Sequence, residues 1–363
     1  MPRNRRSTRP RRRLTALRVI VVAELVVALV TGATVVFAYE HVDQKIDTGA
    51  PIEHIKEREK APLPTSELNI LLMGTDSRSC AGCGIDNQSG EGGSDTTILL
   101  HIADGRRSAY GISIPRDTLV DRPACTSTSG QALPAASGAT WNQAYALGGA
   151  ACTARQVEAV TGVFVDSYVT VNFGGFKDMV DAINGVEVCI PRPVDDSVAH
   201  IHFDAGTQTL DGDRALQYVR ERHSTANSDL GRMKRQQAFI ASMINKVMDA
   251  GTLTRPDRLY RFATSLADSI ETSPDIASAG KLVQLAASLR HADLGHIKFV
   301  TAPTSDFPLG DPNWGRLQFT PEAQQLWDKV KADAPLGKLG KGAVSGKDPN
   351  GGKDAAAENG LCA

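Results

Sequence analysis

Two kinds of side chain in this sequence are placed to do chemistry together. They are aspartates flanking predicted strands and arginines spread over distant segments. Asp76 stands in GTDSR and Asp95 in GGSDTT. The first follows one apolar run and the second precedes the next, so antiparallel pairing would bring both carboxylates to one edge of a sheet. Two carboxylates held close repel each other unless one is protonated or a cation lies between them. The hard divalent ion that takes a few carboxylates and completes its shell with water and phosphate oxygens is magnesium. The competing reading is that both are turn residues, because Asp favours loops beside Gly and Ser.

The arginines suggest an anion. Arg116 follows Ile114-Pro115 at a predicted strand end, and Arg220 and Arg222 lie two apart in YVRER. Residues two apart share a face only in an extended segment, which places this pair at or beyond a helix end. Arg232 and Arg235 fall in the opening turns of a predicted long helix, where the backbone dipole disfavours cations. Cations are at home there when an anion is bound, since free N–H groups and guanidinium forks then converge on it. Gln236 comes one turn before Ile240 and so points with the buried face. A solvated basic face is the alternative for the same residues.

These groups need a scaffold. Continuous apolar runs predict strands over Leu68–Met73, Thr96–Ile102 and Ala109–Ile114, the first ended by Gly74 and the last by Pro115. No helix separates them, so at least part of the sheet is antiparallel. Strand Tyr168–Phe173 leads to a helix with Phe176, Met179, Val180 and Ile183 on one face, closed by Gly185. Strand Val186–Ile190 follows, then the long helix, about Leu230–Ala250, with Phe239, Ile240, Met243, Ile244 and Val247 along its stripe. Helix Ile276–Leu289, strand His296–Thr301 and helix Pro321–Lys331 complete an α/β chain with helices on both faces of a mixed sheet.

The N-terminus predicts where this scaffold works. Seven arginines occupy the first thirteen residues, and an apolar stretch runs from Val19 to Tyr39. At about 1.5 Å per residue it spans roughly 30 Å, the bilayer core. Arginine-rich flanks stay in the cytoplasm, so the remainder is expected outside. Glu24 lies near the cytoplasmic end, where its cost is lowest. A cleaved signal peptide competes, but its apolar core is usually only about 7–15 residues. The expected plan is a basic cytoplasmic tail (1–18), a transmembrane helix (19–39), a stalk (40–66), a catalytic domain (67–333) and a disordered tail (334–363).

Outside the anchor, 32 basic residues face 40 acidic ones, a net charge of -8. Such a surplus argues against nucleic acid as a partner. All six cysteines lie beyond the apolar stretch, in a compartment that permits disulfides. Cys125 and Cys152 bracket a polar loop and are the favoured pair, while Cys80 and Cys83 form a CxxC read as a local bridge. Pairing of Cys189 and Cys362 stays open.

The ordered series NILLMGTDSR, SDTTILLHI, ISIPRDTLV, NQAYALGG, VNFGGFKDMVDAINGVEV, LDGDRALQYVRER and DLGRMKRQQAFI resembles the LytR-CpsA-Psr family, over about residues 68–250. The resemblance implies a three-layer α/β/α sandwich with a mixed central sheet. It also implies transfer of a glycopolymer from a polyprenyl-pyrophosphate carrier to peptidoglycan. By position, Asp76 and Asp95 match magnesium ligands, while Arg116, Arg220, Arg222 and Arg232 match phosphate-binding arginines. Gln236 matches a residue near the lipid phosphate. Where the family has Arg before Ser-Asp-Thr, this chain has Gly93, and Arg78 or Arg235 would have to supply that contact. Asp117 and Asp229 are candidates for a general base. A polyprenyl-pyrophosphate hydrolase and a non-catalytic lipid-binding ectodomain are the rival readings. A serine hydrolase is disfavoured by the lack of a Gly-x-Ser-x-Gly elbow.

Overall fold

The structure is a computed structural model that describes residues 10–56, 67–75, 93–196, 201–221, 228–248, 256–289, 294–340 and 343–345. The chain begins with α1 (Pro10–Asp43), β1 (Asp47–Thr48), β2 (Leu68–Thr75), β3 (Ser94–Ile102) and β4 (Ala109–Ile114). Short strands β5 (Leu119–Arg122), β6 (Cys125–Thr126), β7 (Ala132–Leu133) and β8 (Ala136–Thr140) lead to α2 (Gln143–Thr161). Next come β9 (Ser167–Asn172), α3 (Phe173–Ala182), β10 (Val186–Ile190), β11 (Val194–Asp196), β12 (Ile201–Phe203) and β13 (Gly206–Leu210). Helices α4 (Gly212–Arg220), α5 (Ser228–Met248) and α6 (Pro256–Ala267) precede β14 (Ile270–Thr272) and α7 (Ala279–Leu289). The chain closes with β15 (Ile297–Thr301), β16 (Thr304–Asp306), β17 (Leu317–Phe319), α8 (Pro321–Lys331) and β18 (Val344–Ser345).

Among the described residues the central sheet has eight strands in the order β1-β14-β9-β2-β3-β4-β15-β18. β3 runs antiparallel to both β2 and β4, whereas β9 is parallel to β2 and β15 to β4, so the sheet is mixed as expected. These directions gather the ends of β2, β4, β9 and β15 with the starts of β3 and β14 on one rim, here called the upper edge.

Strand alternation builds the layers. In β2, Leu71 and Met73 point into a core with Val157 of α2 and Leu326 and Trp327 of α8. Leu68 and Ile70 point the other way, against Ala238 and Ala241 of α5. α5 is covered on its far side too, where Phe239, Met243 and Val247 pack on β10, β13, α3 and α4. A helix enclosed on both sides carries its own opening turns into the interior, which matters for the arginines below.

α1 is long and apolar enough to cross a membrane from Arg18 to Asp43, and its side chains from Arg18 to Phe37 are exposed. Its last turn is docked. Asp43 Oδ1 accepts from Ala279 N at 2.7 Å, at the start of α7, and Val42 and Ile46 pack with Ala267, Ile270 and Leu282. Within the stretch expected as a stalk, β1 pairs with β14, and the Tyr168 hydroxyl donates to Ala50 O at 2.7 Å. Ile55 N then donates to Glu158 Oε2 at 2.9 Å. Within the stretch expected as a disordered tail, β18 pairs with β15 and Val344 is fully buried.

Cys125 and Cys152 are bonded, with Cα atoms 5.5 Å apart. The segment between them is not only loop: it holds β7, β8 and the start of α2, which kinks at Gly149 (φ 64°). Cys189 is also in a disulfide, while Cys80, Cys83 and Cys362 fall outside the described residues.

Candidate functional site

The upper edge brings Asp95, Arg116 and Arg232 together from three elements. Asp95 opens β3, Arg116 follows β4 after the Pro115 that ends it, and Arg232 lies in the second turn of α5. Arg116 Nη1 donates to Asp95 Oδ1 at 2.5 Å, and Arg232 Nη1 lies 3.9 Å from Asp95 Oδ2. The chain of charges continues outward. Arg116 Nε is 3.4 Å from Asp117 Oδ2, and Arg316 Nη1 donates to Asp117 Oδ1 at 2.5 Å. Arg316, Asp117, Arg116, Asp95 and Arg232 therefore alternate in sign, with cations at both ends.

Stability does not explain this gathering. Partly exposed ion pairs contribute about 0–1 kcal/mol each, and Asp95, Arg116 and Asp117 all keep about a quarter of their side-chain surface in water. Among the described residues three guanidinium groups stand around two carboxylates, a set of forks that suits an anion.

Arg220 is the last residue of α4, where the chain turns from helical to extended at Glu221 (φ -60°, ψ 136°). Its guanidinium lies 4.8 Å from the ring centroid of Phe173, the first residue of α3. Gln236, one turn after Arg232, donates through Nε2 to Val219 O at 3.1 Å and so ties the end of α4 to α5. The α3 start is held in turn by Asn172, whose side chain accepts from Gly175 N at 2.8 Å. Gly175 is required there, since a Cβ would collide with Ser269 at the head of β14.

Arg235, expected among the phosphate-binding arginines, has partners within the protein. It is buried, its Nη2 lies 2.9 Å from Glu221 Oε2, and it also donates to the Glu221 carbonyl. Burial draws its pKa down while Glu221 supports the charge, and burial pushes the adjoining Tyr218 up to about 12. Arg235 clamps the end of α4 to α5. Asp229 lies in the first turn of α5, with its side chain outside the described residues. Asp76, Arg78 and Arg222 are outside them as well, and Gly93 immediately precedes β3.

Two participants escaped the sequence reading. Gln237 is fully buried and donates to Ser113 Oγ at 2.9 Å and Thr301 Oγ1 at 3.1 Å, fixing α5 to β4 and β15. Its place one turn before Ala241 on the buried stripe was the available signal. Arg316 had none, because it is separated from Asp117 by 199 positions.

Magnesium fits the donors present. Asp95 offers a partly exposed carboxylate, and each carboxylate oxygen can accept more than one contact. Among the described residues no three His, Cys, Asp or Glu groups converge. Magnesium needs no such cage, being held by one or two carboxylates with water and phosphate.

The chain is thus an α/β/α sandwich whose upper edge carries arginines around an aspartate. Residues 34–332 match the LytR_cpsA_psr family, and the chain belongs to it. It is 31% identical over 283 residues to the cell wall biosynthesis protein LcpA of Corynebacterium glutamicum, covering 71% of this chain and 54% of that protein. It is 28% identical over 268 residues to the polyisoprenyl-teichoic acid–peptidoglycan teichoic acid transferase TagV of Bacillus subtilis, covering 72% and 62% respectively. The chain thus spans less than two thirds of either relative. The crystal structure of B. subtilis TagV superimposes with a TM-score of 0.55 at 26% identity, covering 75% of this chain and all of that one.

Proposed function

We propose that this chain is a membrane-anchored, magnesium-dependent phosphotransferase. In this reading it moves an anionic glycopolymer from a polyprenyl-pyrophosphate carrier to a peptidoglycan hydroxyl. The N-terminus would lie in the cytoplasm and the α/β/α domain outside. The observation that carries the reading is the alternating chain of arginines and aspartates, set on the same sheet edge at which α1 joins the domain. LcpA and TagV, named for cell wall biosynthesis and for teichoic acid transfer, support it.

The pyrophosphate would sit on Arg116 and Arg232, with Arg220 and Arg222 as further phosphate-binding groups. Planar guanidinium forks match phosphate oxygens in a way lysine does not. Gln236 would stand beside the lipid phosphate. The acceptor hydroxyl, for which a muramic acid 6-OH is our candidate, attacks the sugar-proximal phosphorus. A new P–O bond forms, the bond to the bridging oxygen breaks, and polyprenyl phosphate leaves. The hydroxyl proton passes to a carboxylate, for which Asp229 is the candidate. Asp117 is engaged by Arg116 and Arg316 and acts as a brace. Magnesium, when held by Asp95 with Asp76, would neutralise charge on the pyrophosphate. Phosphoryl transfer gains mostly from positioning and charge stabilisation, which is what arginines on a rigid sheet edge provide.

The test is turnover of a polyprenyl-pyrophosphate-linked glycan by full-length protein in liposomes, with and without peptidoglycan. Release of polyprenyl phosphate should depend on peptidoglycan and on magnesium, and Asp95→Asn should lose the magnesium response. Equal release without peptidoglycan would make the chain a hydrolase, and binding without release a non-catalytic lipid-binding domain.

A further inference from the structure

Beyond the outer end of the charge chain, the β16–β17 hairpin carries a tip that the proposed reaction does not use. Its sequence is FPLGDPNWGR, residues 307–316. Leu309 is 86% exposed and Trp314 64% exposed. An exposed tryptophan on a floppy loop would mean little, but this tip has a fixed shape. Asp311 N donates to Pro308 O, Trp314 N to Asp311 O and Arg316 N to Asn313 O, at 2.9–3.0 Å. Gly310 (φ 93°) and Gly315 (φ 86°) supply left-handed turns that other residues adopt only with strain. The base of the hairpin is bolted to the site. Leu317 N donates to Asp117 O at 3.2 Å, next to the Arg316–Asp117 ion pair.

We propose that this tip is the platform for the acceptor glycan, with Trp314 stacking on a pyranose ring of the peptidoglycan strand. The inference rests on the phosphotransferase reading and extends it to the acceptor. Displacement at phosphorus is roughly in line, so the attacking hydroxyl approaches opposite the leaving polyprenyl phosphate. α1 docks beside β14 at one flank of the sheet, which assigns the lipid to that side. The hairpin follows β15, two strands beyond β3 on the opposite flank, roughly 10 Å further along the sheet at about 4.8 Å per strand. Its chemistry suits a sugar. An aromatic face meets C–H groups, and the half-exposed Arg316 and the nearby Asp311 and Asn313 offer hydrogen-bonding groups to hydroxyls. It suits an anionic bilayer poorly, because Asp306 and Asp311 flank the apolar tip and the cation there, Arg316, is ion-paired with Asp117. Pre-ordering the loop lowers the entropy lost on binding.

The other two tryptophans, Trp141 and Trp327, are 0% and 2% exposed, so acrylamide quenching of the full-length protein reads mainly Trp314. Soluble, uncross-linked peptidoglycan strands should protect it. Trp314→Ala should raise the KM for those strands roughly five- to tenfold, the scale of one aromatic contact, with little change in kcat at saturation. Trp314→Phe should restore most of the loss. No protection by glycan, or protection by anionic phospholipid vesicles instead, would overturn the inference. Quenching is read without turnover, so glycan protection in a protein that transfers nothing would sink the phosphotransferase reading alone. Transfer with an unmoved glycan KM in Trp314→Ala would sink the platform alone.

Discussion

At the lower edge of the sheet, His101 is 1% exposed and its ring nitrogens meet Asn69 Oδ1 at 2.8 Å and Asp333 Oδ1 at 2.9 Å. Asp333 also accepts from Asp104 N at 3.0 Å, and the buried Arg106 feels Asp166, Asp104 and Glu67. Carboxylates are plentiful there, and they pin the end of α8 to β3. At the upper edge, among the described residues, three arginines stand around two aspartates, with Arg220 at the end of α4. Both edges lie on the same strands, so strand chemistry does not separate them. The difference is in the kind of group each gathers: the lower one sets a histidine among carboxylates, and the upper one collects guanidinium forks of the kind that match phosphate oxygens.

Arg116→Lys or Arg220→Lys is the strongest test of that contrast. Charge is retained and the fork is lost, so single-turnover transfer should fall on the order of 10³-fold, while thermal unfolding hardly moves. Near-wild-type transfer in both would reduce the upper edge to a solvated basic face.

Removing the Cys125–Cys152 crosslink should give the opposite signature, a loss of stability without a loss of site. With the cysteines 27 positions apart, the chain-entropy model gives about 3–4 kcal/mol at 25 °C. Urea titration of the double serine variant measures this, and its transfer rate under native conditions should stay close to wild type. A large drop in rate would mean that α2 and β6 help to shape the upper edge.

The smallest effect belongs to the lower edge. Burial holds the His101 pKa below its ordinary 6.5, against the pull of Asp333. The unfolded chain then takes up a proton more readily than the folded one. The contribution of His101 is therefore complete above about pH 6.5 and declines as the pH falls from there towards the folded pKa. Melting temperatures followed from about pH 8 to 5 should drop less steeply in His101→Gln than in wild type. A wild type that gains stability over this window would show that Asp333 outweighs burial.

The contrast also marks what a sequence can disclose. β4, β10 and α8 were legible to the residue, because apolar runs and a Pro-initiated helix leave sharp boundaries. The places of Asp95, Arg116 and Arg232 at strand ends and a helix start were legible, since apolar runs and Pro115 mark those boundaries. α2 was missed: its Gly148-Gly149 pair and many alanines blur the helical stripe, and it kinks at Gly149. α4 and α6 were missed although both are amphipathic, because their many polar residues leave no continuous apolar run. The Arg235–Glu221 clamp was illegible for a different reason. YVRER and RMKRQQ place charges in profusion, and only the enclosure of α5 on both sides decides which of them turns inward.

The way α1 joins the domain sets the dimensionality of the chemistry. Only Gln44, Lys45 and Ile46 separate the helix from β1, and the helix end is itself hydrogen-bonded to α7. If α1 spans the bilayer, the domain cannot sweep a hemisphere as a body on a long flexible linker would. Donor and site then meet as two particles drifting in one plane at a fixed height. Encounter frequency would follow the number of carriers per unit area of membrane, and lengthening the junction with glycines would slow turnover by letting the site leave that plane.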